Sequence, residues 1–209
     1  MSMKERPIPF SAPMVRAILA GHKSMTRRVV KPQSLYRGDV VDPTGITRNG
    51  WWWTRKDGTG IHSQPTSEAA MAMLADSPYW CPYGRVGDRL WVREEFAASL
   101  SPHPSGVIYR ASSGADMNPF REGYTPWKRW FFLPRLSSRI TLEIAGVDVE
   151  RVQEITARDA AAEGLAYYPA EFEETWDKLN AARGFGWEVN PWVWVIAFKD
   201  VSNEGKVQS

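Results

Sequence analysis

Cysteine and histidine, the residues behind most structural metal sites, are scarce in this sequence. Cys81 is the only cysteine among 209 residues, which excludes an internal disulfide bond. The three histidines, His22, His62 and His103, are scattered, and neither His-Glu-x-x-His nor paired Cys-x-x-Cys spacing occurs. We therefore expect no metal site and no cofactor. Since no His-Asn or His-Asp pattern accompanies Cys81, we interpret it as a small buried hydrophobic residue rather than a nucleophile.

Long hydrophobic runs are also missing. No apolar stretch reaches membrane-spanning length, and no signal-peptide pattern begins the chain. We therefore expect a soluble, cytoplasmic protein with no membrane partner. Hydrophobic residues make up 43% of the chain, which is enough for a core, and the length fits one domain with large loops or insertions.

Charge is balanced overall but unevenly distributed. The net charge is +2, yet residues 1–60 hold 11 Lys and Arg against 4 Asp and Glu, whereas residues 141–209 hold 6 against 13. This asymmetry predicts a basic face built mainly from the N-terminal third, which is typical of nucleic-acid binding. The alternative is that the two oppositely charged regions neutralise each other in the fold.

The segment Gly21-His22-Lys23-Ser24-Met25-Thr26-Arg27-Arg28 follows a short predicted helix. Ser11 can cap that helix, Pro13 suits its first turn, and Gly21 supplies the left-handed residue that ends it. A lysine and a hydroxyl three residues apart at a helix exit can converge on one polar group. The adjacent arginines suit a phosphate or a carboxylate.

Alternation predicts the strands. Thr26 to Val30 forms a first strand, and a longer one begins near Ile140, with a bulge or bend at Gly146. Pro191 to Phe198 is apolar throughout, which predicts an interior strand covered on both faces.

Caps and turns predict the remaining elements. Thr156 and Asp159 can cap a short helix that ends at Gly164, and a further helix spans about 169–180 with an apolar stripe of Phe172, Trp176 and Leu179. The three tryptophans at 51–53 lie between two turn signals, Arg48-Asn49-Gly50 and Lys56-Asp57-Gly58, which indicates a hairpin, and a short helix is predicted over 67–74.

Four segments in this order resemble the ASCH family, and particularly its longer, tryptophan-rich members commonly carried by phages and prophages. They are Gly-x-Lys-x-x-Thr-Arg-Arg at 21–28, Gly-Asp-Arg-Leu-Trp-Val-Arg-Glu at 87–94, Asp-Ala-Ala-Ala-Glu-Gly-Leu at 159–165 and Trp-Val-Trp-Val-Ile-Ala-Phe-Lys at 192–199.

The resemblance implies an α+β fold: a small, mostly antiparallel PUA-like β-barrel with peripheral helices. It would span 1–201 as one domain with loop-rich insertions at about 33–86 and 99–135, followed by a polar tail at 202–209.

The resemblance also implies a site. In ASCH proteins that hydrolyse the amide of an acetylated cytidine nucleoside, a lysine, a threonine and a glutamate act together, and these roles fall on Lys23, Thr26 and Glu163. A threonine hydroxyl needs a base to become a nucleophile, and a lysine whose pKa is lowered by burial or by nearby arginines can be that base. The alternative is that Lys23 and Glu163 form an ordinary ion pair.

Arg27, Arg28, Trp91 and Arg93 are the predicted nucleic-acid contacts. In a strand, Arg28 lies on the face of Thr26, so we expect Arg28 in the pocket and Arg27 toward solvent or a backbone phosphate. Trp91 lies on the face of Arg93 and could stack on a base.

The predicted partner is RNA or a modified nucleoside, with amide hydrolysis as the leading chemistry. Three alternatives remain open: a non-catalytic reader of a modified or flipped base, a ribonuclease, and a protein-binding phage factor. The sequence does not determine the oligomeric state.

Overall fold

The computed structural model describes residues 3–31, 35–41, 47–54, 60–63, 81–101, 106–114, 116–165 and 169–202. Its centre is a five-stranded mixed sheet in the order β1-β6-β9-β10-β2. The strands are β1 (Glu5–Pro9), β2 (Met25–Val29), β6 (Arg89–Arg93), β9 (Thr141–Arg151) and β10 (Trp192–Asp200). Strands β1 and β6 are parallel, and the other neighbours in this sheet are antiparallel.

The α+β class predicted from the sequence is confirmed, but the described part of the chain contains no closed ring of paired strands. Strands β1 and β2 are the two edges of the sheet. A side chain links them instead, because Nη2 of Arg28 on β2 donates a hydrogen bond of 2.7 Å to the carbonyl of Pro9 at the end of β1.

Strand β10 separates two hydrophobic clusters, as predicted for an interior strand. Its even-numbered residues Trp192, Trp194, Ile196 and Phe198 pack into the larger cluster with Ile8, Val15, Leu90 and Leu142. Val193 and Val195 face the smaller cluster on the opposite side, with Phe172 and Trp176. The alternating side chains of one strand therefore stabilise both layers.

The predicted irregularity near Gly146 is confirmed. Ala197 of β10 pairs with Gly146 of β9, whereas the next residue, Phe198, pairs with Ile144. Ala145 is therefore the extra residue of a β-bulge, which lets a strand of 11 residues bend along its partner.

Three helices accompany the main sheet in the described part: α1 (Ala12–Leu19), α2 (Ala157–Ala162) and α3 (Pro169–Asn180). The capping box of Thr156 and Asp159 on α2 is confirmed. Ser11 is the N-cap residue of α1, but its side chain makes no capping hydrogen bond. On α3, Phe172 and Trp176 are buried as predicted, whereas Leu179 is half exposed.

Between β2 and β6, the chain forms a separate three-stranded antiparallel sheet of β3 (Leu35–Val41), β4 (Thr47–Thr54) and β5 (Gly60–Ser63). The three tryptophans at 51–53 lie on β4. The predicted turn at Asn49-Gly50 is wrong, because both residues pair with β3 inside strand β4. The helix predicted over 67–74 and all of the predicted tail except Ser202 lie outside the described residues.

After β6, the chain forms a hairpin of β7 (Phe96–Ala98) and β8 (Val107–Tyr109). The chain then continues through short 3-10 turns to β9, at Arg110–Ser112, Pro119–Glu122, Trp130–Phe132 and Arg135–Ser137. Further 3-10 turns occur at Val152–Glu154, Ala181–Arg183 and Trp187–Val189. In the described part of the chain, no helix combines the length and apolar character that crossing a membrane requires.

Candidate functional site

The backbone places Lys23 and Glu163 side by side. The two residues form an isolated antiparallel bridge, and the amide of Ser24 donates to the carbonyl of Ala162 at 2.8 Å. This bridge joins the exit of α1 to the end of α2. It brings together two of the three predicted catalytic residues, which are 140 positions apart in the sequence.

Gly164 makes this close approach possible. Its φ of +82° is a left-handed conformation that ends α2, and a Cβ atom there would lie 2.8 Å from Cβ of Ala17 and 3.0 Å from Cβ of Lys23. Only glycine satisfies both the backbone angle and the packing, so the ASCH-like Glu-Gly pair at 163–164 has a local structural reason.

The side chains of Lys23 and Glu163 form a buried ion pair. Nζ of Lys23 lies 2.5 Å from Oε2 of Glu163 and 2.8 Å from its backbone carbonyl. Burial lowers the pKa of Lys23, and the positive charges of Arg27 and Arg28 lower it further, whereas Glu163 acts in the opposite direction. The net lowering makes the neutral amine, the form that can accept a proton, easier to reach than in an exposed lysine.

Arg27 is part of the same charged cluster. Its guanidinium contacts Glu150 at 2.5 and 2.8 Å, Asp159 at 3.1 Å and Oε1 of Glu163 at 3.6 Å. The prediction that Arg27 faces solvent is therefore wrong. Strand β2 lies at an edge, but the face that carries Arg27 is covered by α2, α3 and the carboxylate of Glu150.

The two carboxylates that hold Arg27 differ in their surroundings. Burial raises the pKa of Glu150, and Arg27 only partly offsets this. Burial acts in the same direction on Asp159, but hydrogen bonds from Thr156 and Arg27 outweigh it and lower the pKa of that carboxyl. Asp159 thus caps α2 and also anchors Arg27.

A cavity of about 1150 Å³ lies beside this cluster. Thr26, Arg27, Arg28 and Glu163 line it, whereas Lys23 is fully buried and reaches it only through its contact with Glu163. The cavity extends around the β2 edge, because residues from both faces of that strand contribute to its wall. Aromatic side chains complete the wall: Phe10, Tyr83, Trp130, Phe172, Trp176 and Trp194.

Thr26 and Arg28 occupy the same face of β2, as predicted from their spacing. They pair with Ile196 and Trp194 of β10. Thr26 is only 2% exposed, so any ligand must enter the cavity to reach its hydroxyl. The guanidinium of Arg28 lies over the ring of Phe10, 5.1 Å from its centroid, and burial lowers the pKa of Arg28.

Trp91 and Arg93 do not line this cavity. They share a face of β6, and the guanidinium of Arg93 stacks on the Trp91 ring at 4.6 Å. The guanidinium of Arg135 lies 6.0 Å from the same ring, and Trp91 is 8% exposed. The structure therefore separates these two predicted nucleic-acid contacts from Thr26 and Arg28.

Several wall residues were missed at the level of sequence. Phe172 and Trp176 were assigned to the core by their helical spacing, and they do pack there while also lining the cavity. Trp130, Lys31 and Arg183 carry no local pattern that marks a site. Within the described residues, no group of three or more His, Cys, Asp or Glu is placed to hold a metal ion.

The Gly-Asp turn at 87–88 has a structural explanation. The Asp88 carboxylate accepts hydrogen bonds from the amides of Lys4 and Arg85, at 2.9 and 3.3 Å, and from Nη1 of Arg6 at 3.0 Å. Asp88 thereby fixes β1 against the start of β6, and it contributes no group to the cavity wall described above.

No family model matches this chain, and no curated protein matches it. Two solved structures are similar to it over most of its length. One is a DUF984-family protein from Enterococcus faecalis, at 10% identity and a TM-score of 0.41, covering 96% of this chain and 82% of that one. The other is described as an ASCH domain from Lactobacillus crispatus, at 11% identity and a TM-score of 0.44, covering 95% and 80%.

Proposed function

We propose that the cavity binds a modified nucleoside, free or within RNA, and that Lys23, Thr26 and Glu163 hydrolyse an amide on its base, as in N4-acetylcytidine. One observation carries the proposal. Glu163, which the fold brings from 140 positions away into a buried pair with Lys23, lines the same cavity as Thr26, and the motif resemblance assigns all three residues to this chemistry.

The proposed reaction begins at Thr26. Its hydroxyl oxygen attacks the amide carbonyl while its proton passes to the neutral amine of Lys23. The tetrahedral intermediate collapses, the C–N bond breaks, and the leaving amine takes up a proton from the Lys23–Glu163 pair. Water then hydrolyses the acyl-threonine ester, which releases the acid and restores the hydroxyl.

The buried cluster supports this assignment of roles. Lys23 is held by two contacts to Glu163, so its amine has a fixed position, and its lowered pKa favours the proton-accepting form. Arg27 adjoins Glu163 and is itself held by Glu150 and Asp159, which makes it a positioning residue for the glutamate.

The cavity has the size and lining for a nucleoside. Its volume of about 1150 Å³ is slightly above the range of about 300–1000 Å³ that is usual for ligand sites, which leaves room for more than one base. Aromatic faces on its wall, such as those of Trp130 and Trp176, can stack on a base.

Turnover of acetylated cytidine tests the proposal. The parent protein is incubated with N4-acetylcytidine and with an acetylated RNA oligonucleotide, and products are separated by chromatography. We expect deacetylation by the parent and a loss of about 10²–10⁴-fold in Glu163→Gln. Glu174→Gln, on the exposed side of α3, is the matched control and should retain the parent rate.

A non-catalytic reader is the second candidate. It is favoured by the burial of Lys23, which contacts Glu163 rather than the cavity. A reader would bind RNA with an affinity that falls with salt, by about 0.7 log units per tenfold salt for each phosphate neutralised, and would turn over neither substrate. Turnover of acetylated cytidine without measurable RNA binding would exclude the reader. A protein that neither turns over substrate nor binds RNA would favour the protein-binding alternative.

A further inference from the structure

Three cationic side chains on the cavity wall have no carboxylate partner among the described residues. They are Arg28 on β2, Lys31 just after it, and Arg183 in the turn that follows α3. Arg27 is the contrasting case, since three carboxylates surround it. The unpaired charge of the cavity is therefore concentrated on one group of residues.

Arg28 is the least exposed member of this group and is half-buried. Its Nη2 donates to the carbonyl of Pro9, but its Nε is buried and has no hydrogen-bond partner. A buried donor without a partner is costly, because it has given up water without a replacement. The charge of Arg183 also acts unfavourably on Arg28, which places the two cations within electrostatic range of each other.

Lys31 and Arg183 are the exposed members, and they are held on either side of one turn. Nζ of Lys31 lies 5.4 Å from the centroid of Phe185, and the amide of Phe185 donates to the carbonyl of Asn180. Nη1 of Arg183 donates to the side-chain oxygen of Asn180 at 3.2 Å. Both cations are thus positioned by the 180–185 turn at the end of α3.

The two carboxylates of the cavity wall form no ion pair with these cations. Glu163 acts favourably on the charge of Arg28, but its Oε2 is bound to Lys23 and its Oε1 lies 3.6 Å from Arg27. Glu95 is exposed between β6 and β7, where its backbone carbonyl accepts from the amide of Arg110 on a different part of the wall. An anion is the ligand group that would satisfy the unpaired donors of Arg28, Lys31 and Arg183 together.

We infer that Arg28, Lys31 and Arg183 form a phosphate subsite, so that the ligand of this cavity is a nucleotide rather than an uncharged nucleoside. The inference rests on the proposed function for the identity of the base and adds the phosphate. The phosphate can belong to a free nucleoside 5′-monophosphate or to an RNA strand. Both present the same anionic oxygens to arginine and lysine.

Binding, measured apart from turnover, tests this inference. Isothermal titration calorimetry compares N4-acetylcytidine, its 5′-monophosphate, and a trinucleotide with N4-acetylcytidine at its centre. The four common ribonucleosides and their 5′-monophosphates are compared in the same way, so that the result does not depend on the acetyl group. We expect the phosphate to tighten binding by at least ~10-fold, since hydrogen bonds between charged groups are the strong ones.

The variants Lys31→Gln and Arg183→Gln test whether these two side chains bind the phosphate. Both residues are exposed, so the variants should fold. The double variant should lose most of the extra affinity that the phosphate gives, while its affinity for the nucleoside stays that of the parent. Arg121→Gln removes one exposed positive charge outside the cavity and is the matched control, expected to bind every ligand as the parent does.

The outcomes separate this inference from the proposed function. A tighter monophosphate indicates a free nucleotide, and a gain seen only with the trinucleotide indicates RNA; either supports the subsite even if no ligand is deacetylated. The subsite is overturned if nucleosides and nucleotides bind with equal affinity, or if none of these ligands binds. It is also overturned if the double variant keeps the higher affinity for nucleotides. Deacetylation of N4-acetylcytidine with no effect of phosphate would leave the proposed function intact.

Discussion

Nζ of Lys23 lies 2.5 Å from Oε2 of Glu163, in a pair whose side chains are 0% and 5% exposed. A pair at this depth behaves differently from one at the surface, because removing one partner leaves an uncompensated charge away from water. The pair therefore stabilises the fold only as a unit, whatever its role in catalysis.

Breaking this pair should destabilise the protein strongly. We expect Lys23→Met or Glu163→Leu to lower the free energy of unfolding by about 3–5 kcal/mol, and the double variant to lose less than the sum of the two. Urea denaturation of the four proteins measures this. The exposed pair Glu174–Lys178 is the control, where each single change should leave the free energy of unfolding nearly unchanged. Additive effects at Lys23 and Glu163 would contradict the coupling.

Thr26→Val should separate binding from chemistry. The substitution keeps the shape of the side chain and removes the hydroxyl, so deacetylation should fall to background while the dissociation constant for the nucleoside stays within a factor of about three. Steady-state kinetics and calorimetry give the two quantities. Thr141→Val, on β9 and outside the cavity wall, is the control and should behave as the parent. If Thr26→Val turns over substrate at the parent rate, the threonine is not the nucleophile.

The rate should rise with pH through the titration of Lys23. Because burial lowers its pKa, the neutral amine forms below the ordinary lysine value of about 10.4, and kcat/KM should reach half its maximum below that pH. Lys23→Arg should lose both this rise and most of the activity, since a guanidinium stays protonated. A profile that is flat between about pH 6 and 10 would show that Lys23 is not the base.

The same lowered pKa gives stability a defined pH dependence. Unfolding exposes Lys23, which then takes up a proton in the pH range between its folded and its unfolded pKa. The unfolded state binds more protons there, so the contribution of Lys23 to the free energy of unfolding should rise with pH. Parallel denaturation of the parent and Lys23→Met from about pH 7 to pH 11, a range that spans the unfolded lysine pKa of about 10.4, measures it. A difference between the two proteins that shrinks with rising pH would show that Glu163 raises the pKa more than burial lowers it.

Gly164→Ala should disturb the site through packing. The new Cβ would meet Ala17 and Lys23 at 3.0 Å or less, in addition to the usual penalty of about 1–2 kcal/mol for a left-handed alanine. Gly184→Ala is the matched control: its φ is +80° and nothing lies within 4 Å of the added atom. We expect the Gly164 variant to lose more stability than the control and also to lose activity. Equal losses would mean that the contact with Lys23 relaxes freely.

Local rules were sufficient for much of the fold. The Thr156–Asp159 capping box, the left-handed Gly21 and Gly164, and the β-bulge at Gly146 were all predicted, because caps, turns and alternation depend on residues within a few positions of one another. The two-sided burial of β10 was predicted from its apolar run for the same reason. Where a local signal was overridden, as at Asn49-Gly50, pairing with a neighbouring strand decided the conformation.

The sequence by itself determined the α+β class, the ends of the helices and the residue types available for chemistry at 23, 26 and 163. Only the tertiary structure decided which of them meet. The carboxylate partners of Arg27 come from β9 and α2, more than 120 positions away. No spacing rule could therefore show that Arg27 has carboxylate partners whereas Arg28 has none within the described ranges. Trp91 and Arg93 were separated from the cavity in the same way, because strand order, which depends on packing across the whole chain, determines which faces converge.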